Sequence, residues 1–133
     1  MIILYIDDDL DDRDLFHDAI HAMGPEYACI TAADGISGIR VMTEMKPEIV
    51  FLDINMPAMD GVEILREIRA NNSLRHVQVC MFSTSISTRD REKYLKLGAN
   101  LCLEKPRTFN ELCSALKSAI IQMIESGSHI TPC

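Results

Sequence analysis

Short apolar runs alternate with longer stretches in which apolar residues return every third or fourth position. Ile2-Ile3-Leu4-Tyr5-Ile6 is unbroken and ends at acids, as a strand buried on both faces reads. Leu15, Phe16, Ala19, Ile20 and Met23 then fall at helical spacing, and Gly24-Pro25 stops that helix. Tyr27 to Thr31 reads as a weaker second strand. Ile36, Ile39, Met42 and Met45 predict a second helix, closed by Lys46-Pro47. Ile49 to Leu52 predicts a strong third strand that ends at Asp53. A loop from Ile54 to Gly61 follows, and Val62, Leu65 and Ile68 mark helix three. Val77 to Phe82 reads as strand four. Helix four is expected from about Thr88 to Leu97, with Gly98 as its C-terminal residue, and strand five over Leu101 to Leu103. Helix five begins at Thr108, where Thr108-x-x-Glu111 has the form of a capping box. Leu112, Leu116 and Ile120 give it one apolar stripe.

Five strands alternating with five helices imply an α/β fold: a parallel sheet covered by helices on both faces, with right-handed crossovers. There is no internal repeat and no low-complexity linker. The pattern predicts one domain over residues 1–125. Residues 126–133 have no periodicity and are expected to form a flexible tail.

Composition narrows this reading. A length of 133 residues suits one domain. With 47% apolar residues and a mean hydropathy near zero, the chain reads as soluble and globular. No apolar run approaches the roughly 18–20 residues of a membrane span. The start has no basic segment before its apolar run, so it is not read as a signal peptide, and a cytoplasmic location is expected. The net charge of −7, with no basic stripe, argues against a nucleic-acid surface. Cys29, Cys80, Cys102, Cys113 and Cys133 are an odd set without a C-x-x-C pair, which predicts free thiols in a reducing compartment. Cys80 and Cys102 lie in strand-like runs, where Cys behaves as a small hydrophobe.

In a doubly wound sheet, ligands bind beyond the carboxyl ends of the strands. Here those ends carry Asp7-Asp8-Asp9, Asp53, Ser83-Thr84-Ser85 and Glu104-Lys105-Pro106. Strands one and three should be neighbours, which brings Asp7, Asp8 and Asp53 together. Close carboxylates repel, and protonation or a cation relieves the repulsion. Mg²⁺ suits such a site, because it takes one or two carboxylates, keeps waters and binds phosphate oxygens. A backbone carbonyl after Asp53 could add a ligand. Lys105 offers a compact positive charge and Ser83 a hydroxyl donor. These groups can perform phosphoryl transfer to a carboxylate, with Asp53 as nucleophile and the others neutralising the equatorial oxygens.

The ordered set resembles the receiver (response-regulator) family over roughly Ile2 to Ile124. The resemblance rests on Asp7-Asp8 after strand one and on Phe51-Leu52-Asp53-Ile54-Asn55-Met56-Pro57 with Asp60-Gly61 beyond. Ser83 at the end of strand four and Lys105-Pro106 after strand five complete it. It implies a flavodoxin-like (βα)5 fold with strand order 2-1-3-4-5. It implies Asp53 as phosphoacceptor, Asp8, Asp53 and the Asn55 carbonyl as ligands of Mg²⁺ or Mn²⁺, and Asp7 acting through water. Ser83 and Lys105 become the phosphoryl-binding pair, and Lys105-Pro106 a cis bond. The donor would be a sensor histidine kinase or a histidine phosphotransfer protein. A stand-alone receiver would then signal to a downstream protein by phosphorylation-dependent contact, through helix four, strand five and helix five. Such a protein is not a conventional enzyme, since it catalyses its own phosphorylation and dephosphorylation. Asn55 and Ser85 occupy the positions that tune the phosphoaspartate lifetime in the family.

Cys102 departs from the family, which usually carries Tyr or Phe there. That ring normally moves with the Ser/Thr on activation, so the departure bears on the output switch and not on phosphorylation. The run Asp7-Asp8-Asp9 admits two pairs of metal-facing acids, and the end of the apolar run at Ile6 favours Asp7 and Asp8.

Plainer roles exist for single residues. The acids after strand one suit a solvated helix start, and Ser83 could cap helix four. His17 and His21, at i and i+4, have no third ligand beside them and read as a solvated face. Met56 and Met59 either fill the core or lie exposed beside Asp53. Two other functions fit in part. Asp7-Asp8-Asp9 satisfies the D-x-D of a haloacid-dehalogenase-type phosphatase, but no late acidic pair follows strand four. A pseudo-receiver that binds a partner without phosphorylation has only Cys102 in its support.

Overall fold

A computed structural model of the chain describes residues 1–57 and 59–130, with side chains through residue 126. Strands and helices alternate: β1 (Ile2–Ile6), α1 (Leu10–Met23), β2 (Ala28–Ala32), α2 (Gly35–Met45) and β3 (Ile49–Asp53). The second half continues with α3 (Gly61–Ala70), β4 (Gln78–Ser83), α4 (Thr88–Lys96), β5 (Leu101–Glu104) and α5 (Phe109–Ile130). All strand pairs are parallel, in the order β2-β1-β3-β4-β5, as the resemblance implies. The order reverses at β1, so the switch point lies between β1 and β3.

Successive strand side chains point to opposite faces, and the apolar runs therefore feed two cores. Leu4, Ile6, Val50, Leu52, Val79 and Met81 face one core, closed by Met42, Ile64, Leu65, Ile68 and Tyr94. Ile3, Tyr5, Ile49, Phe51, Cys80 and Phe82 face the other, closed by Phe16, Ile20, Leu116 and Ile120. Burying each such side chain contributes roughly 1.5–3 kcal/mol. Tyr5 stacks on Phe16 with ring centroids 4.2 Å apart, and Phe82 meets both edge-on.

Side-chain caps fix where the helices begin. Asp9, Asp34, Asp60 and Ser87 each accept a hydrogen bond from the backbone N–H three residues on. The Thr108 hydroxyl accepts from the Glu111 N–H at 3.1 Å, one half of the predicted capping box. β2 and β4 each start one residue later than the apolar pattern predicts. Tyr27 and Val77 are drawn into the preceding turns by N–H bonds to the carbonyls of Gly24 and Leu74. α4 ends at Lys96, and Gly98 follows with φ 111°, a conformation that L side chains rarely adopt.

Three expectations meet the structure here. The Lys105-Pro106 bond is not cis, since there is no cis peptide bond among the described residues. Trans is the form an X–Pro bond prefers by about 0.5–1 kcal/mol. Cys80 and Cys102 are buried, as read, and burial pushes their thiols up; it pushes Cys29 up to about 12. Such thiols are poor nucleophiles. α5 runs on to Ile130, through the first part of the predicted tail, while residue 58 of the predicted loop and residues 131–133 of the tail, Cys133 among them, lie outside the described residues.

Candidate active site

The sheet register decides which residues meet. Ile6 pairs with Leu52, so Asp7 leaves β1 beside Asp53, the last residue of β3. Asp53 pairs with Phe82, and Ser83 with Glu104, the residue before Lys105. The Lys105 N–H donates to the Ser83 carbonyl at 2.8 Å, which ties the ends of β4 and β5. Asp7, Asp8 and Asp53 each offer a carboxylate oxygen within 4.8 Å of the others. Asp7 and Asp53 are buried and Asp8 is exposed.

Lys105 reaches across this group from β5. Its Nζ lies 2.8 Å from Asp7 Oδ2, 3.0 Å from Asp12 Oδ2 and 3.5 Å from Asp53 Oδ1. Ser83 is buried, and its Oγ accepts from Asn55 Nδ2 at 3.4 Å. Gly61 makes the loop after Asp53 possible. A Cβ there would stand 2.7 Å from the Asp53 carbonyl oxygen and 3.0 Å from Ile54 Cα, both backbone atoms that cannot swing aside.

The electrostatics separate the two buried acids. Burial pushes the Asp53 carboxyl up, to about 6; Lys105 opposes the shift and the Asp7 charge adds to it. Burial also works against charge on Asp7. There, hydrogen bonds from Lys105, the Tyr5 hydroxyl and the Asp9 N–H win, and hold its carboxyl below the usual range. Burial disfavours the Lys105 ammonium, but its carboxylate partners hold the lysine above the usual range. Three acids thus face one ammonium, and Asp8 adds a fourth carboxylate to the cluster. Asp7, Asp8 and Asp53 are hard oxygen donors at a spacing one divalent cation can bridge, and the residues fit such an ion.

Every site residue expected from the sequence therefore gathers at one sheet edge. Asp9 is the exception in its run, because its side chain accepts from the Asp12 N–H and caps α1. That removes the second acid of the D-x-D reading. Met56 is buried at 7% exposure and fills the core under α4, which decides between its two readings; Met59 is half-buried. His17 and His21 stack with ring centroids 6.5 Å apart and belong to no metal-binding cluster among the described residues. Cys102 shares the core of Tyr94, and its carbonyl accepts from the Arg91 guanidinium at 2.6 Å.

Three contributors were not singled out from sequence. Tyr5 donates its hydroxyl to Asp7, Arg13 donates to the Asp7 carbonyl at 2.8 Å, and Asp12 pairs with Lys105. Tyr5 carried a signal, since residues two apart on a strand share a face. Asp12 carried none beyond its place in an acidic first turn.

The family described as "Response regulator receiver domain" matches residues 3–117. The transcriptional regulatory protein PrrA of Mycobacterium tuberculosis is 36% identical over 118 residues, covering 89% of this chain and 49% of PrrA. The chain thus spans about half the length of the first curated relatives that it matches. A probable chemotaxis protein CheY of Rhizobium etli is 32% identical and covers 87% of this chain and 89% of its own. The sensor histidine kinase RcsC of Escherichia coli is 31% identical, covering 87% of this chain and 12% of the kinase. Among solved structures, the phosphorylated cyanobacterial phytochrome response regulator RcpA superposes with a TM-score of 0.78 at 26% identity, over 89% of both chains. The Mn²⁺-bound form of response regulator Rcp1 superposes with a TM-score of 0.73 at 27% identity, over 99% of this chain and 96% of that one. This match overturns the phosphatase reading, as does the cap role of Asp9. By its strand order, its edge of acids and lysine, and this likeness over nearly all its length, the chain belongs to the response regulator receiver family of two-component signalling.

Proposed function

We propose that Asp53 is the phosphoacceptor, that Asp7, Asp8, Asp53 and the Asn55 carbonyl hold Mg²⁺ or Mn²⁺ directly or through water, and that Ser83 and Lys105 bind the transferred phosphoryl group. The observation that carries this reading is the meeting of three carboxylates within 4.8 Å, one of them 3.5 Å from the Lys105 ammonium. When bound, the divalent ion supplies neutralising charge for these acids and for phosphoryl oxygens.

The residues divide the remaining work. One Asp53 carboxylate oxygen attacks phosphorus in line with the leaving group. With a phosphohistidine donor, the P–N bond breaks and its electron pair returns to the imidazole, leaving an acyl phosphate on Asp53. Lys105 and the Ser83 hydroxyl donate to two phosphoryl oxygens as their charge develops. Asp7, pinned by Tyr5 and the Asp9 N–H, holds Lys105 in position. Water later cleaves the acyl phosphate and restores the carboxylate. The donor is a sensor histidine kinase or a histidine phosphotransfer protein; the likeness to a segment of RcsC supports this. The Mn²⁺-bound form of Rcp1 and the phosphorylated RcpA support the metal and the modification. The output is contact with another protein.

Borohydride reduction locates the modified residue. Protein treated with acetyl phosphate and Mg²⁺ is reduced, digested and read by peptide mass. Conversion of Asp53 to homoserine is expected. Conversion at another acid, with Asp53 intact, contradicts the assignment.

A further inference from the structure

We propose that Asp12 competes with the phosphoryl group for Lys105, and so weakens the resting site's affinity for phosphoryl donors. The inference rests on the acceptor site proposed above and adds a residue to it. An ammonium has three N–H donors, and here three carboxylates face them: Asp7 at 2.8 Å, Asp12 at 3.0 Å and Asp53 at 3.5 Å. A phosphoryl group arriving on Asp53 must win one donor from another acid.

Asp7 cannot yield cheaply. It is 1% exposed, its Oδ2 also accepts from Tyr5, and its Oδ1 accepts from the Asp9 N–H at 3.0 Å. Removing the ammonium would strip this buried charge of its hydrogen-bonded cation. Asp12 stands differently. Its side chain is 40% exposed, and among the described residues it makes no hydrogen bond other than that to Lys105. It lies in the first turn of α1, where a released carboxylate still favours the helix N-terminus. Turning Asp12 out to water therefore costs only a half-exposed ion pair. The geometry makes Asp12 the exchangeable partner and Asp7 the fixed one.

The test uses beryllofluoride, a phosphoryl mimic, titrated by calorimetry in saturating Mg²⁺ into wild type, Asp12→Asn, Asp12→Ala and Asp11→Asn. Asp11 is exposed in the same helical turn and has no contact with Lys105, so its variant reports the loss of one charge alone. Both Asp12 variants should bind about two- to fivefold tighter than Asp11→Asn, the size expected of a half-exposed pair. The half-saturating acetyl phosphate concentration should fall by a similar factor, with the maximal rate less changed. Equal gains in the Asp11 and Asp12 variants would overturn the proposal, since bulk charge would then explain them. So would unchanged or weaker binding in the Asp12 variants, which would make Asp12 a support for Lys105. If wild type binds no beryllofluoride with Mg²⁺, the acceptor-site reading fails and this inference fails with it.

Discussion

Asp53 sits under opposed influences, and its protonation should register them. Burial and the neighbouring Asp7 charge raise its pKa to about 6, against the pull of Lys105. For an acid raised on folding, the native state binds more protons across the shifted window. The contribution to stability is thus lost as pH rises from about 4 to about 6. Metal-free Asp53→Asn should therefore be more stable than wild type above pH 6, by up to roughly 2 kcal/mol. Below pH 4 the two should agree. Urea unfolding in EDTA at several pH values checks both the sign and the window. Metal-free Lys105→Met should act oppositely, costing roughly 3–5 kcal/mol at neutral pH, because buried Asp7 would lose the cation that balances its charge. At this scale the sequence was partly legible. Residues that end buried strands announced themselves, because a charge after an unbroken apolar run must sit at an edge. Which acids of the run face inward was settled by α1, whose start recruits Asp9 as its cap. The Asp12–Lys105 pair joins residues 93 apart, and no local pattern encodes it.

The loop from β3 into α3 is built on close backbone approach. Gly61→Ala would push a methyl group against the Asp53 carbonyl and Ile54 Cα. The variant should lose roughly 1–3 kcal/mol of stability, as overpacking does, and should phosphorylate more slowly because Asp53 itself shifts. Gly35→Ala meets the Met59 sulfur at 2.6 Å, but that atom belongs to a flexible side chain, and the cost should be smaller. Comparing the two variants in thermal unfolding and in acetyl phosphate labelling separates backbone crowding from side-chain crowding. Elements were legible because strand and helix periods differ so clearly here. Their ends were less so: Tyr27 and Val77 are apolar enough for a strand, yet hydrogen bonding draws them into turns. Met56 was ambiguous because apolarity alone does not say which loop residue turns inward; α4, through Tyr94, covers the core in which it lies.

The whole molecule joins two cores to one edge, and binding at that edge should stabilise the fold. Mg²⁺ at about 100 times its dissociation constant should add about 2.7 kcal/mol to the stability of wild type. The gain should shrink as pH falls below about 6, where Asp53 takes up a proton and can no longer serve as a ligand. Asp53→Asn and Asp8→Asn should each lose most of it. Thermal unfolding with and without Mg²⁺ reads this directly. The architecture was the most legible level, since five strand-and-helix alternations leave few ways to cover a parallel sheet. The level ends of β1, β3, β4 and β5 follow from register, which the sequence does not state.

The central claim is that these strand ends form a metal-dependent acceptor for one phosphoryl group at Asp53. Intact mass after incubation with acetyl phosphate, in Mg²⁺ or in EDTA, tests it most directly. The account predicts one added phosphoryl group in Mg²⁺, none in EDTA and none in Asp53→Asn. A stable adduct that forms in EDTA, or that persists in Asp53→Asn, would contradict it.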